Sequence, residues 1–248
     1  MERVRLSATV RINRFLSLSG VASRRASEEL ILQGQVTVNG KRVTSLATRV
    51  DPERDRVVVR GKTVHPVRKY RYLVMNKPRD AISTARDEKG RRTVLSLVRS
   101  EQRLFTVGRL DRNTTGVILL TNDGELAHRL MHPSTRIQKA YVVTCDKPVD
   151  PHHIDRLRAG VVLDGRKTAP ADAALIPGSK GKGVGIVLHE GRYRQVRRMF
   201  EQLGYEVEKL DRVAYGPINR RGLGRGETRS LTRAEIRQLK ALAGMPEL

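Results

Sequence analysis

A single cysteine, Cys145, stands among 248 residues. It excludes an internal disulfide and any cysteine-based zinc site. Tryptophan is absent, and only six tyrosines and three phenylalanines are present. That scarcity excludes a broad stacking platform of the kind that reads single strands along their length. Any aromatic contact with a base has to be single and placed. No apolar run approaches the ~18–20 residues of a membrane span. The opening MERVRLSATV also lacks the apolar centre of a secretory leader, so the chain is expected in the cytoplasm with no membrane partner. Of six histidines only His128 and His132 have a helical i, i+4 spacing, with no glutamate between them and Pro133 directly after. They read as a helix-end pair, and no metal is expected.

Acidic residues are also scarce: 26 Asp and Glu face 49 Lys and Arg, for a net charge of +23. Such a balance argues against an ordinary small-molecule enzyme and for a polyanionic partner. Residues 1–70 carry a net +9 and residues 71–248 a net +14, so the field is not confined to a tail. A chain of this length can bury roughly 70–75% of its unfolded surface, and 38% hydrophobic residues permit a packed core. A basic surface over a core suits a protein that sits on phosphates, although a merely soluble, highly charged surface has the same composition.

The first sixty residues read as helix, turn, helix, hairpin. Ile12, Phe15 and Leu16 recur at i, i+3, i+4, and Gly20 closes that helix. Ser23 can cap a second helix, with Ala26, Leu30 and Ile31 as its buried stripe and Gly34 as its stop. Val36 and Val38 then approach the hairpin turn Asn39-Gly40, and Val43 returns. Arg56 to Val59 is a further strand candidate, and Arg60 to Lys69 a linker or a last strand plus linker. Arg11, Arg14, Arg24 and Arg25 lie on or between the helices, with Lys41 and Arg42 after the turn. Two arginines at a helix start oppose the helix dipole, yet amide ends and guanidinium forks both suit phosphate. RINRFLSLSGVASRRASEELILQGQVTVNGKRV resembles the S4 RNA-binding domain. That resemblance implies binding of structured RNA through phosphate and shape contacts by these six cations.

Beyond residue 70 the pattern mixes strands with short connections. Strands fit Tyr70 to Met75 (entering a turn Asn76-Lys77-Pro78), Val117 to Leu120, Ala140 to Thr144, Val161 to Leu163 and Val184 to Leu188. Helices fit Glu125 to Met131 and Arg197 to Leu203, with a further element from Glu206 to Leu210. Thr232 and Glu235 form a capping box for a C-terminal helix. Few crossover helices are visible, so the expected class is α+β: a small N-terminal α/β domain over residues 1–65, and a second domain over 70–248 with a mixed, mainly antiparallel sheet. Familiar cofactor motifs are missing. Gly160 and Gly165 have P-loop spacing but are followed by Arg166-Lys167, and the glycines from Gly178 to Gly185 precede a strand. Gly222 to Gly226 reads as a basic loop, and no hydrolase elbow is present.

Two features stand out. Gly108-Arg109-Leu110-Asp111 leads into Thr114-Thr115-Gly116, where the carboxylate fits a plain turn aspartate as well as a site. Gly191-Arg192-Tyr193-Arg194-Gln195-Val196-Arg197-Arg198 packs four arginines around one strand-to-helix junction, a solvated helix start or an anion site. Together with Lys139-Ala140-Tyr141 between them, these motifs resemble the pseudouridine synthases, in the expected order after an S4 domain. Arg194 stands where the branch with an R-x-H-Q signature has histidine, which places the chain with the ribosomal branch. GYEVEKLDRVAYG and the stretch from MNKP to DEKGRRTV look closer to the large-subunit 23S enzymes of the B and F types.

The resemblance implies an RNA isomerase that needs no cofactor. The N1–C1′ bond of uridine breaks, the base turns over, and C5 joins C1′. One carboxylate suffices, as nucleophile or base, because the released uracil is recaptured rather than replaced by water. By motif match that group is Asp111. Arg197 is its guanidinium partner within salt-bridge range, and Tyr141 lies against the target base, its hydroxyl able to assist proton transfer at C5. Arg109 helps hold the flipped base, and Arg192 and Arg194 are further RNA contacts. The expected partner is ribosomal RNA, 23S, or a subunit precursor, bound by a monomer. A small-subunit 16S synthase and a catalytically silent S4 assembly factor are the alternatives.

Overall fold

The computed structural model describes residues 9–67, 69–84 and 90–245, and the chain divides into two compact units, Met1–Arg71 with Ser100–Arg103, and Tyr72–Arg99 with Leu104–Leu248. In the first unit β1 (Val10–Arg11) leads into α1 (Ile12–Leu18) and α2 (Arg24–Leu32), followed by β2 (Val36–Val38), β3 (Lys41–Val43), β4 (Arg49–Val50), β5 (Val57–Val59) and β6 (Lys62–Val64). The order β3-β2-β5-β6 makes an antiparallel sheet, and β1 pairs with β4. Ser23 accepts from the Ala26 amide, so Arg24 and Arg25 occupy the first two helical positions. Asn39 and Gly40 both have positive φ, 51° and 81°, as a tight hairpin demands. The buried position of α2 beside Ile31 is Ser27, not Ala26, which is only half-buried. Phe15, Leu16, Ile31, Val36 and Val57 form the core of this unit.

The second unit runs β7 (Tyr72–Lys77), β8 (Phe105–Val107), β9 (Thr115–Thr121), α3 (Gly124–Met131), β10 (Lys139–Cys145), α4 (Pro151–Ala159), β11 (Val162–Leu163), β12 (Arg166–Lys167), β13 (Asp172–Leu175) and β14 (Gly183–Leu188). It ends with α5 (Gln195–Glu201), β15 (Val207–Tyr215), β16 (Ile218–Asn219), β17 (Thr228–Ser230) and α6 (Arg233–Leu242). One sheet ordered β13-β14-β10-β15-β9-β7-β17 spans the unit, with β8 beside β9 and β16 beside β15. All of its pairs are antiparallel except β15 on β9. The mixed, mainly antiparallel α+β class is thus what the chain adopts.

That parallel seam depends on Gly116. Its φ is 104°, and a Cβ there would stand 2.2 Å from the Arg212 carbonyl oxygen, so the two backbones meet only where no side chain exists. Elsewhere the structure departs from the sequence-based expectation. The first strand does not end at Met75; it continues through Asn76 and Lys77, both fully enclosed. Helix α4 and strand β13 were not expected. Asp164-Gly165 is a hairpin turn between β11 and β12, which explains the glycine spacing without a phosphate loop. His132 caps the end of α3, its ring 6.2 Å from that of His128, and among the described residues no cluster of three metal-ligating side chains occurs. The Thr232–Glu235 capping box is present, with both reciprocal bonds. Asp87, Glu88 and Lys89 of the DEKGRRTV stretch lie outside the described residues.

The basic loop from Arg220 to Gly226 is pinned to the sheet by Asn76, which bonds Leu223, Arg225 and Gly226, and by one carboxylate. Asp211 accepts from Thr115 (2.7 Å) and Arg225 (2.8 Å) and pairs with Arg220 at 3.1 Å. Burial alone would raise its pKa, but the bonds from Arg225 and Thr115 and the charges of Arg225 and Arg220 outweigh burial and hold it below 3.8. The stability this group contributes is therefore fully present above its unfolded value and lost as pH falls through the lower folded one. Urea unfolding should show wild type losing its advantage over Asp211→Asn below about pH 4. An advantage unchanged down to pH 2.5 would contradict this.

Candidate active site

The segment between β8 and β9 is held largely through its backbone, while the side chains of Arg109, Asp111 and Asn113 are exposed. Leu110 exchanges two bonds with the buried hydroxyl of Ser83, whose Oγ accepts the Leu110 amide (3.1 Å) and donates to the Leu110 carbonyl (2.9 Å). Lys77 is fully buried at the end of β7. Its ammonium donates toward the carbonyls of Pro78, Asp111, Arg112 and Thr114 at 2.8–3.1 Å. Arg112 also pairs with Asp80, a non-glycine residue at φ 62°. Burial pulls the Lys77 pKa down to about 8, against the upward pull of Asp111 and Asp80. A cation enclosed by main-chain oxygens thus fixes the loop by its backbone, and the Asp111 carboxylate is left exposed to a cleft.

The cleft has a volume of about 660 Å³. One wall is the Asp111 loop with Arg79; the other comes from the start of α5 and of β15, bringing Tyr193, Arg194, Arg197, Glu206 and Glu208. Arg194 opens α5 in the left-handed region at φ 46°, a conformation costly for arginine and found where surroundings enforce it. The guanidinium of Arg197 donates to the Val207 carbonyl at 2.7 Å. Burial and the charge of Arg194 press its pKa down, while Asp111 and Glu201 press it up. One carboxylate and one half-buried guanidinium thus sense each other across a solvent-open gap, fixed from opposite sides.

The RNA pseudouridylate synthase family matches over residues 71–202, and the S4 domain over residues 10–57. The chain belongs to the RNA pseudouridylate synthases. The synthase is 46% identical over 241 residues to "Ribosomal large subunit pseudouridine synthase B" of Bacillus subtilis (strain 168), covering 94% of this chain and 96% of that one. It is 43% identical to an uncharacterized RNA pseudouridine synthase of Aquifex aeolicus (strain VF5), over 95% and 96% of the two chains. A crystal structure of a pseudouridylate synthase superposes with a TM-score of 0.68 at 30% identity, covering 93% of this chain and 99% of that one.

Asp111, Arg194 and Arg197 of the synthase meet in one cleft, as the motifs imply. Tyr141, Arg192 and Arg109 lie outside that lining, and Arg197 lacks its expected ion pair. Arg197 makes its short contact with the Val207 carbonyl, and among the described residues it forms no ion pair with Asp111 within 4 Å. Tyr141 is not among the residues lining the cleft; it sits half-buried on β10, packed against two apolar clusters, one of which contains Leu110. Arg192 spends its guanidinium on the carbonyls of Arg166 (3.1 Å) and Lys167 (2.8 Å) and lies near Glu190, so it braces the junction. Arg109 is exposed beside the loop without lining the cleft. In the N-terminal unit Arg11, Arg14, Arg24, Arg25, Lys41 and Arg42 are all exposed. The sequence reading missed Lys77, Ser83, Tyr193 and Arg79. Only the Lys77-Pro78 step and the tyrosine between two arginines gave any local signal for them.

Proposed function

We propose that this synthase converts one specific uridine of ribosomal RNA, in 23S rRNA or its subunit precursor, to pseudouridine, with Asp111 as the catalytic carboxylate and no cofactor. The observation that carries the reading is the Asp111 carboxylate, exposed on a loop held through its backbone and lining one cleft with the half-buried Arg197. The bookkeeping is that of an isomerisation: N1–C1′ breaks, C5–C1′ forms, the proton leaves C5 and N1 gains one, with no water consumed. Extruding the uridine costs a few kcal/mol, which phosphate contacts offset. Arg79 and Arg194 line the cleft and can serve that purpose, with Arg109 exposed on the Asp111 loop, and the six exposed cations of the N-terminal unit supply the remainder. We assign RNA binding to residues 1–65 and chemistry to residues 70–248, in a cytoplasmic monomer. The large-subunit designation of the Bacillus relative favours 23S over 16S.

The test is pseudouridine mapping in cells with and without the gene, complemented by wild type. One 23S position should lose its modification in the deletion strain. Loss at a 16S position would make the protein a small-subunit synthase, and an unchanged map would leave a silent assembly factor. Affinity for the mapped RNA should fall steeply with salt, by a log–log slope of ~0.7–0.9 for each phosphate contacted.

A further inference from the structure

We infer that Tyr193 is a stacking platform for the base of a nucleotide flanking the target uridine; this rests on the proposed isomerase reading. Tyr193 is 71% exposed, the most exposed large hydrophobic side chain among the described residues, and it lines the same cleft as Asp111 and Arg197. A ring in that position stabilises nothing in the protein alone, since it removes little apolar surface from water.

The backbone on both sides of it is nevertheless tightly held. Before it, the Arg192 guanidinium grips the carbonyls of Arg166 and Lys167. After it, the buried Gln195 side chain accepts the Arg192 amide (2.9 Å) and donates to Glu190 (2.6 Å), and Arg194 is locked in the left-handed region. The ring is thus presented before any ligand arrives, which lowers the ordering cost of binding.

Its surroundings select the ligand. Arg194 and Arg197 favour a polyanion, and an aromatic face beside a guanidinium suits a base attached to phosphate. Glu206 and Glu208 on the same wall discourage a bare anion and can accept hydrogen bonds from base amino groups. A base stacked on so exposed a ring stays on the open lip, as a neighbour of the target would.

The experiment uses the 23S hairpin identified by mapping, with 2-aminopurine on either side of the target and Asp111→Asn present to stop turnover. Binding should quench one of the two probes, Tyr193→Ala should abolish the quench, and Tyr193→Phe should restore it. With Asp111 intact, Tyr193→Ala should raise KM about fivefold to a hundredfold, the loss falling in KM rather than kcat. An unchanged quench with unchanged KM, or a loss confined to kcat, would overturn the proposal. Should wild type fail to modify the hairpin while the Tyr193-dependent quench persists, the target assignment falls and the stacking site stands.

Discussion

Asp111→Asn is expected to lower pseudouridine formation by at least ~10³-fold while leaving RNA affinity and thermal stability close to wild type. The magnitude follows from removing the one group asked to act as nucleophile or base. The selectivity follows from the way the loop is built. Lys77 holds the Asp111 carbonyl, not its carboxylate, and Ser83 holds Leu110, so an isosteric amide disturbs no anchor. Asp172→Asn, at an exposed carboxylate on β13 outside the cleft, is the control: it removes a like charge and should retain most of the rate. Single-turnover assays on the mapped hairpin, with binding and melting measured on the same preparations, read all three quantities. Undiminished modification by Asp111→Asn would end the assignment.

Lys77→Met should damage the fold and the chemistry together. Methionine fills similar space but donates nothing. Arg112 and Asp111 carbonyls keep other backbone partners, the amides of Asp80 and Thr114, whereas those of Pro78 and Thr114 lose the ammonium. Each orphaned buried acceptor costs about 1–3 kcal/mol, partly offset because no charge need be buried, so a net loss of about 2–4 kcal/mol is expected. Calorimetry should register that as a melting point lower by roughly 5–15 °C. Where the variant is still folded, a loop displaced by about 1 Å costs ~10²-fold in rate. The pH dependence carries a second signature. Between about 8 and 10.5 the unfolded chain keeps a proton on Lys77 that the folded chain has released, so wild-type stability gains from this group as pH rises through that window. The gain should be missing in Lys77→Met. Equal melting points across that range would refute the clamp.

Much of this was legible locally. The i, i+3, i+4 spacing of Ile12, Phe15 and Leu16, the Asn39-Gly40 turn and the Thr232–Glu235 box each depend on residues within a few positions, and each appears as expected. The Asp111 loop and the arginine junction were found for the same reason. What escaped depends on distant partners. Lys77 looks like a turn residue until four carbonyls converge on it from residues 78–114. Arg192 looks like a phosphate ligand until the β11–β12 hairpin offers it two carbonyls. Helix α4 is polar on most of its surface, with only Ile154 and Leu157 buried, so periodicity was faint and only the Asp150-Pro151 start announced it. Tyr141 and Tyr193 could not be told apart by sequence, because enclosure is a property of the sheet and of what packs on it.

The seam at Gly116 has a wider meaning. Strand β9 departs directly from the Asp111 loop, and β15 begins with the carbonyl that accepts from Arg197, so bare main chain meeting main chain joins the strands on which the Asp111 and Arg197 walls of the cleft rest. The width of the cleft is therefore gauged by the skeleton of the sheet and owes little to the decoration around it. Surface loops that grip differently shaped transcripts could be exchanged about such a frame without recalibrating the chemistry.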